Sequence, residues 1–318
     1  MALVSCCSPH SLLSSIPYSS AILSSTKPSR IQITATSPPS SFPMDHHDKK
    51  RRNLTDFPYV SAAHRNLMIN LISTVENRLG SHLLPCSLPP DVQYFENQTR
   101  TAQASLQIRP GRKSSLIDLI MGSWIHCELP SGALNITSFS AYLTALTDAP
   151  NFLFELIVSS PTSLVLILDL SPRKDLVLHP DYLQTFYEDT RLDAQRQTLE
   201  KLPEVQQYIS SSLFIRCACS PTAIMIKVDA GEHGSNRMEE IIEDNIAVAA
   251  EEVLGIWLNQ CACVERDIGE SEGGELETRD RMFRNKTIEV DLGSSFPRLF
   301  GPDIANRVLE AMRNAFRV

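Results

Sequence analysis

The feature that most constrains the fold is a series of short apolar or alternating segments in the middle of the chain, broken by Pro, Gly, Ser and Asn. Segments of this length and punctuation are typical of β-strands. Seven strands are predicted, over 104–109, 115–129, 133–143, 151–158, 163–170, 212–219 and 223–228. The short connections at 130–132 and 159–162 suit hairpins, so we expect neighbouring strands to be antiparallel.

Predicted helices flank these strands and also interrupt them between 172 and 211. Helices are predicted over 67–79, 181–197, 238–258 and 304–316, from apolar positions at helical spacing in the first, third and fourth. Gly80 is placed to end the first of these helices, and Pro180 to begin the second. The combined pattern predicts an α+β fold in which one antiparallel sheet carries helices on both faces.

The first 43 residues differ from the rest in composition. They contain thirteen serines, two basic residues (Lys27 and Arg30) and no acid. This composition predicts a chloroplast transit peptide over 1–43, followed by a single domain over 44–318. Plain N-terminal disorder is the alternative. A secreted glycoprotein would explain four Asn-X-Thr sequons, but the N-terminus lacks the basic start and apolar block of a secretory signal.

Composition and charge exclude several classes of protein. Hydrophobic residues make up 42% of the chain, too many for a disordered protein. The net charge of −8 argues against a nucleic-acid binder, and no apolar run reaches the roughly 20 residues of a spanning helix. Seven acids against two arginines over 265–280 predict a solvated, mobile acidic loop.

Cofactor motifs are missing from the sequence. It contains no G-x-G-x-x-G, no G-x-S-x-G and no H-E-x-x-H. Two C-x-C pairs, Cys217/Cys219 and Cys261/Cys263, leave a metal-dependent enzyme open as an alternative. Small buried thiols explain these pairs more simply, and we predict no bound metal.

Two acidic residues are candidates for chemistry. Glu155 is the single carboxyl group in the apolar strand predicted over 151–158, where alternation places it on the same face as Leu153 and Ile157. A carboxyl group in apolar surroundings tends to stay protonated, so it could donate a proton within a pocket. A wet edge strand or an arginine partner would explain Glu155 equally well. Asp291, taken alone, suits a loop or a helix cap.

Longer strings resemble the red chlorophyll catabolite reductase family over about residue 53 to the C-terminus. They are Phe57-Pro-Tyr-Val-Ser61, Leu71-Ile-Ser-Thr-Val-Glu-Asn-Arg-Leu79, Leu84-Pro-Cys-Ser-Leu-Pro-Pro-Asp-Val92, Gly122-Ser-Trp-Ile-His-Cys127, Ala149-Pro-Asn-Phe152, Ser163-Leu-Val-Leu-Ile-Leu-Asp-Leu170, Arg173-Lys-Asp-Leu-Val-Leu178, Lys201-Leu-Pro-Glu-Val205 and Ser220-Pro-Thr-Ala223. The resemblance implies an α/β/α sandwich with an antiparallel sheet, related in fold to the ferredoxin-dependent bilin reductases.

The resemblance also implies an activity. The substrate would be red chlorophyll catabolite, an open-chain tetrapyrrole, and the product primary fluorescent chlorophyll catabolite, formed in the chloroplast stroma during senescence. Reduced ferredoxin would supply single electrons, and no flavin, nicotinamide or metal would be bound. A homodimer and an association with the chlorin-ring-opening oxygenase are expected from the family. A non-catalytic carrier that sequesters the phototoxic catabolite is the main alternative.

Site residues follow from the same resemblance. Glu155 and Asp291 match the two acidic pocket residues of the family, with Glu155 as the expected proton donor and Asp291 as an orienting partner or second donor. Tyr208, Ile209 and Ser210 match its substrate-contacting segment. The epimer of the product stays open. A basic run before Asp291 is a candidate surface for acidic ferredoxin and comprises Arg279, Arg281, Arg284 and Lys286.

Overall fold

A computed structural model describes residues 54–130, 132–231, 234–266 and 268–318. Its centre is an antiparallel sheet of eight strands in the order β1-β2-β3-β4-β5-β6-β8-β7. The strands are β1 (Tyr94–Glu96), β2 (Ala102–Pro110), β3 (Ile117–Leu129), β4 (Gly132–Leu143), β5 (Asn151–Ser160), β6 (Ser163–Ser171), β7 (Val205–Gln207) and β8 (Ile224–Asp229). The α+β class with one antiparallel sheet is therefore confirmed.

Ten α-helices are described. They are α1 (Ala62–Leu79), α2 (Pro90–Gln93), α3 (Pro180–Leu183), α4 (Leu192–Leu199), α5 (Leu213–Ala218), α6 (Gly234–Ile241), α7 (Ala247–Trp257), α8 (Glu270–Lys286), α9 (Gly293–Phe300) and α10 (Pro302–Phe316). Single π-helical turns extend several of them, at Gln184–Glu188, Ile242–Ile246, Leu258–Ala262 and Thr287–Leu292. Among the described residues, no helix combines the length and apolar character that a membrane span requires.

The first face of the sheet is covered by α1, α6 and α7 and is named the core face. Along β5 it receives Phe152, Phe154 and Leu156, which join a single apolar cluster with Leu71 of α1 and Trp257 of α7. The buried indole of Trp257 donates its N–H to the carbonyl oxygen of Pro150 at 3.0 Å, so its one polar group has a hydrogen-bond partner inside the apolar cluster. The predicted helices at 67–79 and 238–258 lie here.

The second face carries the alternate residues of the same strands and is named the Glu155 face. Its apolar part packs against α9 and α10 through Phe296, Phe300, Val308 and Met312. A smaller cluster of Leu153, Ile167 and Ile215 brings α5 onto the same face. The stripe predicted over 304–316 is the buried side of α10.

Two predictions of local structure are wrong. The segment 212–219 forms helix α5 rather than a strand, because Ser212 accepts a hydrogen bond from the N–H of Ile215 at its N-terminus. The acidic segment 265–280 is not a loop, since α8 begins at Glu270. Its buried positions recur at helical spacing, at Leu276, Asp280, Arg284 and Ile288.

Other predictions need smaller changes or are not tested. The helix predicted over 181–197 is divided, because Arg191 takes a left-handed conformation with φ of 58° before α4 begins. The two edge strands of three residues, β1 and β7, were not predicted. The transit peptide predicted over 1–43 lies outside the described residues.

Candidate functional site

Glu155 lies at the middle of β5, one of the inner strands of the sheet. It pairs with Ser138 on β4 and with Ile167 on β6, and its side chain is 0% exposed. The predicted alternation is confirmed, because Leu153 and Ile157 belong to clusters on the Glu155 face. The alternative of a wet edge strand is wrong, since β5 has a hydrogen-bonded strand on each side.

A row of buried serines leads away from Glu155 across the sheet. Ser138 stands opposite Glu155, and Ser123 on β3 stands opposite Ser138, with the two hydroxyl oxygens 3.1 Å apart. Ser140, two residues further along β4, is buried with no hydrogen-bond partner for its hydroxyl among the described residues. A buried hydroxyl of this kind is a group that a bound ligand could satisfy.

A second carboxyl group, Asp169 on β6, lies on the same face. It stands opposite Leu153, so it is the diagonal neighbour of Glu155. Its two oxygens accept hydrogen bonds from Ser220, at 2.8 Å from the backbone N–H and at 2.5 Å from the hydroxyl. Burial raises the pKa of Asp169 to about 6, against the opposing effect of the Ser220 hydrogen bonds.

Apolar side chains complete the surroundings of the two acids. Tyr208, Phe214, Cys219 and Met225 pack against the cluster of Leu153, Ile167 and Ile215. Burial raises the pKa of the Cys219 thiol, and the charges of Asp169 and Glu155 raise it further. The thiol is therefore neutral at physiological pH and acts as a small apolar group.

The three residues expected to contact the substrate, Tyr208 to Ser210, differ in exposure. Tyr208 is half-buried and packs against the cluster on the Glu155 face. Its backbone N–H donates to the carbonyl oxygen of Met225 at 2.9 Å. Ser210 is buried, and its hydroxyl accepts a hydrogen bond from the N–H of Ser212 at 3.2 Å. Ile209 is 68% exposed. The structure thus brings Tyr208 near Glu155 and leaves Ile209 at the surface.

Asp291 lies in the π-helical turn Thr287–Leu292, between α8 and α9. Its side chain lies outside what the structure describes, so its relation to Glu155 stays a prediction. The neighbouring Ile288 and Leu292 are buried in the cluster of the Glu155 face. A small apolar cavity between this turn and the serine row is lined by Leu292, Phe296 and Ser123, among others. The backbone of the turn therefore lies over the Glu155 face.

The basic run proposed as a docking surface does not form one surface. Arg284 is buried and pairs with Asp118 at 2.5 Å, and Arg279 donates to the carbonyl oxygen of Pro172. These two guanidinium groups hold α8 against the sheet. Arg281 and Lys286 are exposed. The prediction of a four-residue basic patch is therefore wrong, because sequence spacing does not show which face of α8 is buried.

The cysteine pairs are separated by the sheet. Cys219 packs on the Glu155 face, whereas Cys261 is buried in the cluster of the core face. Cys217 and Cys263 are exposed. Among the described residues, no group of three or more His, Cys, Asp or Glu side chains is arranged to hold a metal ion.

Asp169 and Ser140 are candidate site residues that the sequence analysis missed. Asp169 carries the same signal as Glu155, because it is the one acid in the apolar strand predicted over 163–170. Ser140 gives no such signal, since serine is common on strands. Its importance depends on the absence of a partner among the described side chains.

Comparison with known proteins gives consistent relatives. A family model described as red chlorophyll catabolite reductase (RCC reductase) matches residues 63–314. The chain is 56% identical over 278 residues to the chloroplastic red chlorophyll catabolite reductase of Arabidopsis thaliana, covering 86% of each chain. It is 46% identical over 261 residues to the chloroplastic red chlorophyll catabolite reductase 1 of Oryza sativa subsp. japonica, covering 81% of this chain and 79% of the relative.

A solved structure shares the fold. The phytochromobilin synthase of tomato, solved in complex with biliverdin, superposes with a TM-score of 0.57 at 18% identity, over 78% of this chain and 83% of that chain. At this identity the likeness concerns the fold, and it agrees with the antiparallel sheet and its helices. The family match covers most of the chain, and the two plant relatives align over 86% and 79% of their own length. The chain belongs to the red chlorophyll catabolite reductase family.

Proposed function

We propose that this protein is a ferredoxin-dependent reductase of chlorophyll breakdown in the chloroplast, which converts red chlorophyll catabolite to primary fluorescent chlorophyll catabolite. The reaction adds two electrons and two protons across a double bond that links two pyrrole rings. Ferredoxin delivers the electrons one at a time. The protein itself binds the tetrapyrrole, keeps water away and places the protons.

The observation that carries this proposal is the complete burial of Glu155 on an inner strand of a family member. One-electron reduction makes the tetrapyrrole electron-rich, and protonation must then occur at one atom and on one side. A buried carboxyl group favours its neutral form and can donate a proton at neutral pH. Glu155 is therefore the proposed donor of one of the two protons, and water supplies the other, directly or through Asp291. Water re-protonates Glu155 after release of the product.

The surroundings of Glu155 suit a tetrapyrrole. Pyrrole N–H groups and ring carbonyls need hydrogen-bond partners, and the row of Ser123, Ser138 and Ser140 offers hydroxyl groups on the same face of the sheet as Glu155. The apolar ring edges need a dry wall, and the cluster of Leu153, Ile167 and Ile215 offers one. Few polar groups in an apolar lining are typical of cofactor and ligand sites.

The remaining residues of the site have proposed roles of their own. Asp291 is the orienting partner of Glu155 or a second proton donor. Tyr208 and Ser210 contact the substrate, and Ile209 lies at the rim of the site because it is exposed. If the two acids lie close together, their titrations are coupled and the pH profile belongs to the pair.

The test is an anaerobic assay of the purified full-length chain. Red chlorophyll catabolite is supplied with reduced ferredoxin and no added flavin or metal, and the blue fluorescence of the product is followed. Glu155→Gln is expected to lower kcat by about 10²–10⁴-fold, the usual contribution of a general acid. Glu128→Gln on the exposed end of β3 is the matched control and should retain the wild-type rate.

The alternative of a carrier gives a different result in the same assay. A carrier binds the tetrapyrrole but yields no fluorescent product with reduced ferredoxin. That outcome would replace the reductase proposal. A wild-type rate in Glu155→Gln would instead retain the reductase and remove Glu155 from its proposed role.

A further inference from the structure

Two side chains at the end of β6 hold the last residue of α5 and the segment that follows it. The hydroxyl of Ser171 donates to the carbonyl oxygen of Ala218 at 2.9 Å. Asp169 accepts both the backbone N–H and the hydroxyl of Ser220. Cys219 lies between these two anchored residues, so its backbone position is fixed on both sides. Both anchoring residues, Asp169 and Ser171, and both anchored residues, Ala218 and Ser220, are buried.

Ser220 extends the same anchorage toward β8. Its hydroxyl oxygen accepts the N–H of Thr222 at 3.2 Å, and its carbonyl oxygen accepts the N–H of Ala223 at 3.2 Å. The strand β8 begins at the next residue, Ile224. Asp169 therefore sets the geometry of the whole turn from α5 into β8 through one residue, Ser220.

The anchored segment faces the proposed site. Cys219 packs with Leu153 and Ile167, which are the neighbours of Glu155 on its own strand and on β6. Leu153 stands opposite Asp169 and Ile167 stands opposite Glu155, so Cys219 packs against the strand partners of both acids. The backbone on either side of Cys219 thus determines how far this side chain reaches toward Glu155.

A purely structural role explains Asp169 poorly. The two oxygens of Asp169 accept both donors of Ser220, whereas an asparagine has one acceptor oxygen and its NH2 group would force the Ser220 hydroxyl to accept instead of donate. Burial raises the pKa of Asp169 above its ordinary value, so the ionised form lowers stability at neutral pH. Groups that lower stability are typical of functional sites.

We propose that Asp169 is a positioning residue of the reductase, which holds residues 218–220 through Ser220 and so fixes Cys219 as a wall of the site beside Glu155. This inference rests on the proposed function. It adds a residue that acts on the substrate through another group and does not itself transfer a proton.

The stereochemistry of the product offers a readout specific to this role. Reduction of the double bond creates a new stereocentre, and the walls of the site decide from which side the proton arrives. A wall that moves by about 1 Å can change the rate about 100-fold, because the reacting atoms leave their aligned geometry. Loosening the 218–220 segment should therefore change the ratio of product epimers as well as the rate.

The experiment compares Asp169→Ala, Asp169→Asn and Ser220→Ala in the full-length chain. Asp169→Ala removes both hydrogen bonds, and kcat/KM should fall about 100-fold with a second epimer appearing in the product. Ser220→Ala retains the backbone hydrogen bond and should lower kcat/KM about tenfold, the equivalent of one hydrogen bond to a charged group. Asp169→Asn should lie between wild type and Asp169→Ala while melting at a higher temperature than wild type.

The matched control is Thr137→Val on β4, which removes a buried 2.7 Å hydrogen bond to His64 on the core face. It should lower the melting temperature and leave KM and the epimer ratio unchanged. The inference is overturned if Asp169→Asn and Ser220→Ala give one epimer, the wild-type KM and a rate that follows only the folded fraction. It is also overturned if Thr137→Val changes the epimer ratio as much as they do.

Failure of the proposed function gives a distinct result. If wild type yields no fluorescent product, the reductase proposal fails. The wall is then tested by the dissociation constant of red chlorophyll catabolite, measured by absorbance titration. Ser220→Ala should raise that dissociation constant about tenfold relative to Thr137→Val, and equal constants would overturn the positioning role.

Discussion

The two faces of the sheet place neighbouring residues of one strand in opposite environments. Phe154 and Glu155 are consecutive on β5 and both are 0% exposed. Phe154 joins the large apolar cluster under α1 and α7, whereas Glu155 lies beside a row of serines and near Asp169. At this point of β5 the core face is apolar, whereas the other face carries buried polar groups, which cost stability unless they are hydrogen-bonded.

The helices on the two faces are held in different ways. On the core face, α7 is held by the packing of Trp257 and its neighbours. On the Glu155 face, α8 packs through Phe283 and is held by Arg173, which is fully buried and pairs with Asp280 at 2.5 Å. The same guanidinium group also donates to the carbonyl oxygen of Thr147 at 2.5 Å. We expect apolar packing to raise the free energy of unfolding, and this ion pair to determine the position of α8.

The largest expected contrast comes from adjacent substitutions on β5. Phe154→Ala should lower the free energy of unfolding by about 3–5 kcal/mol, because it leaves a cavity in the core face. Substrate affinity of the folded fraction should not change. Glu155→Gln should lower kcat by about 10²–10⁴-fold with little loss of stability. Urea denaturation and the fluorescence assay measure the two quantities.

This contrast has a clear contrary outcome. If Phe154→Ala weakens substrate binding as strongly as Glu155→Gln lowers turnover, the two faces are not functionally separate. Leu156→Ala provides a second test on the core face, since Leu156 is buried in the same cluster. It should reproduce the stability loss without affecting turnover.

The buried ion pair that anchors α8 should give the next effect. Asp280→Asn leaves Arg173 buried without its charge partner and should lower the free energy of unfolding by about 3 kcal/mol. Hydrogen exchange should increase mainly in α8, because the other face keeps its apolar packing. Hydrogen exchange measured by mass spectrometry, peptide by peptide, tests this expectation.

An exposed pair on the same helix serves as the control. Lys286 and Glu289 form a surface ion pair at 2.8 Å, and Glu289→Gln should change stability by less than about 1 kcal/mol. A comparable loss in Glu289→Gln, or uniform exchange across the sheet in Asp280→Asn, would mean that the Arg173 pair does not anchor α8 in particular.

A buried histidine makes the core face sensitive to acid. Burial lowers the pKa of His64 to about 3, so the unfolded chain binds its proton more tightly between pH 3 and 6.5. The stability from this group is complete above pH 6.5 and is lost as the pH falls, by about 2 kcal/mol between pH 6.5 and 5. His64→Gln should reduce this dependence in urea denaturation at several pH values. His82→Gln, at an exposed site, should retain it.

The sequence predicted the sheet better than the helices that cover the Glu155 face. Strands β2 to β6 follow from alternating apolar residues and their turns, and Glu155 follows as an acid in an apolar strand. Applying the same rule to 163–170 would have found Asp169. Helix α5 has only six residues, too few for helical periodicity to outweigh strand propensity.

Helix α8 shows where the sequence cannot be sufficient. Its acid-rich composition is typical of solvated loops, and Asp280, the one buried acid among the side chains of this helix that the structure describes, is satisfied by Arg173, 107 residues earlier. Pairings of this range depend on the completed fold. For the same reason, spacing alone did not show that Arg284 points inward to Asp118.

The smallest expected effect is the pH dependence of stability that comes from Asp169, and its sign is opposite to that of His64 on the core face. Burial raises the pKa of Asp169 to about 6, so the folded chain holds this proton more tightly than the unfolded chain. The stability from this group is complete below its unfolded value near 3.8 and is lost as the pH rises toward 6, by about 1 kcal/mol between pH 5 and 6. His64 has the opposite dependence over the same range. The free energy of unfolding of Asp169→Asn minus that of wild type should therefore rise with pH. The same quantity for His64→Gln, variant minus wild type, should fall with pH. If both differences change in the same direction, Asp169 is not destabilised by its charge, and the Glu155 face carries no such penalty for its polar groups.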